Sequence, residues 1–149
     1  MESDRHAEMS AEAMDTFLGG HGTGVLSLAG SDEPYAIPIS YGYDPSARRF
    51  YMRLVSTPDG EKRAFLHADP EARLVVYNGD GGTYRSVIAT GTLASIDPAE
   101  LDVEAIEQYG DAKRPLFELW PETKGDLDIE LYRLDPETIT GRTVTVPRD

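Results

Sequence analysis

From Gly24 to Ser56 the chain offers its backbone little except strands. GVLSLAG (24–30), YAIPISYGYD (35–44) and RFYMRLVS (49–56) are rich in aliphatic and aromatic residues, and only short turns separate them. Ser31-Asp32-Glu33-Pro34 forms the first turn and Asp44-Pro45-Ser46-Ala47 the second. Asp and Ser hydrogen-bond the local backbone at such positions, and Pro presets φ. RLVVY (73–77) and YRSVIATGTLASI (84–96) make two more strands, separated by the flexible Asn78-Gly79-Asp80-Gly81-Gly82. A last strand, or pair of strands, covers DIELYRL (128–134) and TGRTVTV (140–146). Six or so antiparallel strands with short turns predict a mainly β protein, a small closed barrel with peripheral helices.

The helices are few and have readable ends. Ser10 caps AEAMDTFL (11–18), which stops at Gly19 and Gly20 and presents Met14, Phe17 and Leu18 on one face. A second helix runs from Thr57 as N-cap and Pro58 at the first position to just before Pro70. DPAELDVEAIEQYG (97–110) has Asp97 as cap, Pro98 at the first position, Glu100 three residues after the cap and Gly110 as the stop. KRPLFELW (113–120) is closed by Pro121. There is no repeat and no linker, so residues 1–149 form a single domain.

Composition narrows the function classes. The 149 residues include no cysteine, which excludes a disulfide framework, a thiolate metal site and a cysteine nucleophile. No apolar run approaches the ~20 residues of a membrane span. MESDRHAEMS has neither the basic nor the apolar region of a secretory signal, so a cytoplasmic protein is expected. The net charge is −13, the acids are dispersed, and lysine is scarce against arginine, 3 to 11. That surface matches a halophilic protein, in which salt screens self-repulsion. A functional acidic face for a basic partner is the less favoured reading, because the charge does not cluster. Nucleic acid and anionic membranes are poor partners for it.

The strongest concentration of chemistry is basic. Arg48 to Arg63 holds five of the 14 basic residues and only two acids, Asp59 and Glu61. Lys62 stands beside Arg63 near the start of the predicted helix, where the macrodipole is positive and a cation is mildly unfavourable. A bound anion removes that conflict. Arg53, Ser56, Thr57 and Lys62 converge where a strand runs into a helix, and hydroxyls, backbone N–H groups and one or two cations suit a phosphate. Pairing of the same bases with surplus surface carboxylates is the competing reading, and spacing alone does not separate the two.

Other constellations are weaker. Alternation along YRSVIATGTL puts Tyr84, Ser86, Ile88 and Thr90 on one face and Arg85, Val87 and Ala89 on the other. Gly91 marks a bulge or a close backbone approach. Tyr35, Tyr41, Tyr43, Phe50, Tyr51 and Tyr84 fall in strands, as core or as the walls of a planar ligand's site. His6, His21 and His67 lack the spacing of a zinc site. GHGTG (20–24) lacks the preceding strand and following basic residue of a P-loop and reads as a helix-to-strand turn. No Gly-x-Ser-x-Gly or paired-carboxylate pattern stands out.

In this order and spacing, the first helix, GVLSLAG, YAIPISYGYD, RFYMRLVS, GEKRAFLHADPEARLVVY and YRSVIATGTL resemble the FMN-binding split β-barrels related to pyridoxamine 5′-phosphate oxidase. The resemblance covers about residues 17–146 and is closest to the short, acidic members from halophilic archaea. It implies a homodimer with FMN at the interface and a flavin-dependent oxidoreductase acting on a small molecule. The alternatives on the same barrel are a non-catalytic flavin or redox-sensing protein, or one that holds F420 or haem. The resemblance places the backbone of Pro38, Ile39, Ser40 and Tyr41 along the isoalloxazine edge and Met52 on the next strand. Arg53, Ser56 and Lys62 would meet the phosphate, and Tyr84 and Ser86 would border the flavin. Trp120 or Arg142 of a partner subunit would close the site. Two departures matter. Glu61 precedes Lys62 where many members have Arg, and TGRTVTVPRD lacks the Arg-x-His that grips pyridoxal phosphate in the oxidase itself.

Overall fold

The structure, a computed structural model, describes residues 5–29, 34–56, 70–100 and 128–146. The elements run β1 (Arg5–Glu8), α1 (Ala11–His21), β2 (Thr23–Ala29), β3 (Pro34–Ser40), β4 (Gly42–Asp44), β5 (Arg49–Ser56), β6 (Glu71–Asp80), β7 (Thr83–Ile96), a 3-10 turn (Pro98–Glu100) and β8 (Asp128–Thr145). The helices expected over 57–69 and 113–120, and most of that over 98–110, lie outside the described residues. At the start of the last, Asp97 accepts from the backbone N–H of Ala99 through Oδ1 at 2.9 Å, as a cap should.

The strands form one antiparallel sheet in the order β3-β2-β6-β7-β8-β5-β4, with β1 on the remaining edge of β8. β3 and β4 are consecutive in sequence yet lie at opposite ends of that order. The sheet therefore curls until its ends meet at Tyr41, and β3 also touches β5. This is the split β-barrel expected. The run 35–44 is not one strand: it is cut at Tyr41, where it passes from one end of the sheet to the other.

Alternation supplies the core. Phe50, Met52, Leu26, Leu74, Leu93 and Leu134 are 0% exposed and fill the interior. α1 lies over this core with Met14 and Leu18 buried. It is longer than expected, because Gly19 and Gly20 stay helical and the left-handed cap is Gly22, φ 87°. Its N-cap is Ser10, whose Oγ accepts from the backbone N–H of Ala13 at 3.1 Å.

Three strand boundaries differ from expectation. β6 runs on to Asp80, and Gly81 and Gly82, φ 61° and 86°, make the tight two-residue hairpin that such angles permit. β1 was not expected at all: RHAE is short and polar, and it is a strand only because β8 leaves an edge free beyond β5. β8 is a single strand that continues through Pro136, at a register shift opposite Thr90 and Gly91. Proline has no N–H to give a ladder, so it is tolerated at such an irregularity. Gly91 fits here for the reason expected, close backbone approach: an added Cβ would clash with the carbonyl oxygen of Asp135 and lie 2.9 Å from Pro136 Cα.

Candidate functional site

Closure of the barrel brings two groups of expected site residues together. Pro38, Ile39, Ser40 and Tyr41 end β3 and enter the crossover, and Met52, Arg53 and Ser56 belong to β5, which β3 touches. Pro38 is on the exposed face of β3, whereas Ile39 and Tyr41 are both 2% exposed. Ser40 is the buried polar residue among those described. Ile39, Tyr41 and Met52 point into the core, so a ligand at this seam meets them through the backbone.

The crossover is held from beneath by α1. Tyr41 donates its backbone N–H to Gly22 O at 3.0 Å and its hydroxyl to Leu18 O at 2.8 Å. Burial pushes its phenol up to about 12, against a smaller opposing contribution from the Gly22 backbone. Tyr43 donates to Asp15 Oδ1 at 2.6 Å, and its phenol is raised, first by burial and then by that carboxylate. Arg48, left-handed at φ 55°, closes the group with an ion pair to Asp15 at 3.5 Å. Tyr41 and Tyr43 both pack on Phe50, at 5.4 and 4.8 Å between ring centroids. These aromatics are therefore core, and Tyr84, 52% exposed, stands apart from them.

The basic stretch divides between its two readings. On β5, Phe50, Met52 and Leu54 face the barrel interior, and Arg49, Tyr51 and Arg53 lie on the opposite face, where Tyr51 is itself buried at 7% exposed. Arg49 Nε reaches Asp135 Oδ1 at 2.7 Å, and Arg133 Nε reaches Asp135 Oδ2 at 2.8 Å. The carboxylate holds the Arg49 guanidinium above its ordinary pKa range. Arg48 and Arg49 are thus surface ion pairs. Arg53 is different: it is half-buried beside Leu131, its cross-strand neighbour on β8, and its buried Nε has no hydrogen-bond partner among the described residues. A buried donor without a partner costs about 1–3 kcal/mol, and a phosphate or carboxylate placed there removes that cost. Lys62, with Thr57 and Trp120, lies outside the described residues.

Tyr84 and Ser86 are not part of this seam within one chain. They lie on β7, separated from β3 by β2 and β6. The Tyr84 ring lies against Gly79, where an added Cβ would come within 2.5 Å of its Cδ1. Ser86 stands between Tyr77 on β6 and Arg142 on β8. The outer sheet face here is open and mixes exposed apolar side chains, Tyr77 64%, Tyr84 52% and Ile88 36%, with the exposed Arg73 and Arg142. Sequence reasoning missed Arg133 and Asp135. Their two-residue spacing on one strand face was the available signal, and the pairing with Arg49 was not visible in it.

Solved structures of the same architecture are found across bacteria. An FAD-binding protein from Mesorhizobium loti superposes with a TM-score of 0.72 at 21% identity, covering 93% of this chain and 97% of that one. An FAD-binding protein from Mycobacterium smegmatis gives 0.65 at 19%, covering 95% and 100%. A heme-binding protein from Mycobacterium smegmatis gives 0.63 at 17%, covering 89% of this chain and 54% of that one. No curated protein matches the sequence. The model of the pyridoxamine 5′-phosphate oxidase family matches residues 10–143, from the cap of α1 to the last residues of β8. With nine-tenths of its length under that match and the split barrel in place, the chain belongs to the pyridoxamine 5′-phosphate oxidase family.

Proposed function

We propose that the chain binds a flavin nucleotide, FMN, at the seam where β3 meets β5, and that it works as a flavin-dependent oxidoreductase. One observation carries the reading: the outward-facing Arg53 has a buried Nε without a partner among the described residues, on the strand that enters the basic stretch. A flavin phosphate is the kind of group that satisfies it. Backbone groups of Pro38 to Tyr41 would line the ring edge. Lys62 would add a second cation. The flavin supplies the electron chemistry, and the protein contributes binding, orientation and electrostatics.

The same proposal includes a homodimer. Tyr84 and Ser86 are three strand positions from β3 in their own chain, on an exposed face. A second copy seated on that face would cover Tyr77, Tyr84 and Ile88 and bring its own Tyr84 and Ser86 towards the first copy's seam. FAD is the second reading, favoured by the two FAD-binding structural neighbours.

The test is the visible absorption spectrum of purified protein in high salt, before and after FMN or FAD is added and excess removed. Retained flavin bands near one per chain support the proposal, and the better-retained nucleotide separates FMN from FAD. Protein that stays colourless with both overturns it.

A further inference from the structure

Arg85 breaks the pattern of its own strand. It shares the inward face of β7 with Val87 and Ala89, which are 0% and 1% exposed, yet it is charged and exposed. It borders an open surface groove of about 840 Å³ that it shares with α1. Glu12, Thr16 and Phe17 of α1 line it together with Glu8 of β1, Arg85 of β7 and Thr143 of β8. Arg85 and Thr143 are cross-strand partners, so the β7–β8 register fixes them side by side. Phe17 stacks on His21 at 5.3 Å between ring centroids, which fixes its ring.

The charges in this groove do not cancel each other. Among the described residues Arg85, Glu8 and Glu12 make no ion pair, whereas Arg48, Arg49 and Arg133 each hold a carboxylate. The groove therefore presents separated charges of both signs beside an aromatic ring, and its volume falls in the range of small-molecule sites. A simple anion would meet the glutamates and a simple cation would meet Arg85. A molecule carrying both charges meets neither conflict.

We propose that this groove binds a small zwitterion with an apolar body, of the α-amino-acid or dipeptide class. Its carboxylate lies on the Arg85 guanidinium, its ammonium on Glu12 and Glu8, and its apolar part against Phe17. The Thr16 and Thr143 hydroxyls flank it. None of these residues belongs to β3, β4 or β5, so the site is separate from the flavin seam and stands without it.

The experiment uses the full chain, labelled with nitrogen-15, titrated with three probes that share one apolar body: L-phenylalanine, phenethylamine and 3-phenylpropionate. L-Phenylalanine is expected to give saturable shifts of the backbone amides of Glu12 to Phe17, Arg85 and Thr143. The two singly charged probes should bind at least about tenfold more weakly. Arg85→Gln and Glu12→Gln, both at exposed side chains, should each weaken L-phenylalanine about tenfold while leaving the rest of the spectrum in place. The proposal is overturned if no probe gives saturable shifts at those amides. It is equally overturned if a singly charged probe binds as tightly as the zwitterion, or if both variants bind like the parent.

Discussion

The hydroxyl of Tyr41 donates to the carbonyl of Leu18 at 2.8 Å, across 23 residues of sequence and entirely within the core. Leu18 lies in the last turn of α1, so this bond ties the end of the helix to the crossover. Tyr41 stands where the chain leaves one end of the sheet for the other. One hydrogen bond thus holds the helix to the barrel's seam. Tyr41→Phe should keep the fold but lose this buried hydrogen bond, lowering stability by about 1 kcal/mol. Urea unfolding measures this, and an unchanged midpoint would show the hydroxyl to be dispensable.

The same phenol sets an alkaline limit. Its pKa is raised in the folded state from 10.0 to about 12 by burial. A raised folded pKa means that the contribution to stability is complete below the unfolded value and disappears as pH climbs through the folded one. Stability should therefore fall between about pH 10 and about pH 12, with about 2–3 kcal/mol due to Tyr41. Tyr43, raised by burial and by Asp15, acts in the same direction. Unfolding midpoints across this range should drop less steeply for Tyr41→Phe than for the parent.

Gly91 should tolerate no side chain. An added Cβ meets the carbonyl oxygen of Asp135, lies 2.9 Å from Pro136 Cα, and has only backbone to push against. Gly91→Ala should destabilise by about 2–3 kcal/mol, the usual cost of overpacking. Gly20→Ala is the control, because nothing lies within 4 Å of a Cβ there. Thermal melts of the two variants should separate clearly, and equal melts would refute the packing argument.

What the sequence disclosed was mostly local. RFYMRLVS, rich in aromatic and aliphatic residues and bounded by turn residues, was enough to place β5. The cap at Ser10 and the turn at Asp44 were equally plain, since each is a side chain acting on its own backbone. The seam was not. YAIPISYGYD has one unbroken pattern, and only closure of the whole sheet cuts it at Tyr41. Pro136 looked like a gap between strands because a bulge opposite Gly91 cannot be inferred from one strand. For the candidate site, the sequence singled out the basic stretch with Arg53 in it, but it could not tell which bases Asp135 would occupy. That choice depends on β8 lying beside β5 and left Arg53 Nε without a partner among the described residues.

The exposed sheet face gives a prediction about assembly. Ile88 is 36% exposed between Val75 and Thr140, its cross-strand neighbours, near the open rings of Tyr77 and Tyr84. Ile88→Asp places a carboxylate in the centre of that face. A second copy seated on that face would bury the charge away from solvent without a partner, a change that costs several kcal/mol. Light scattering should give the dimer mass for the parent and half that mass for the variant. If the parent is a monomer, the assembly proposal fails; if the variant stays dimeric, the contact lies on another face.

Arg53 offers the sharpest separation of folding from function. It is half-buried and its buried Nε goes unpartnered among the described residues, so in the ligand-free protein the guanidinium weakens the fold. Arg53→Met keeps the stem's volume and removes the orphaned donor. Ligand-free stability should therefore hold or rise by up to about 1 kcal/mol. Flavin affinity should move the other way, weakening at least about tenfold, because a charge-assisted bond to the phosphate is lost. Fluorescence titration with FMN and urea unfolding of the ligand-free protein measure the two quantities independently. Opposite signs are the signature of a residue retained for its ligand. A loss of stability with no change in affinity would make Arg53 a packing residue and move the phosphate elsewhere.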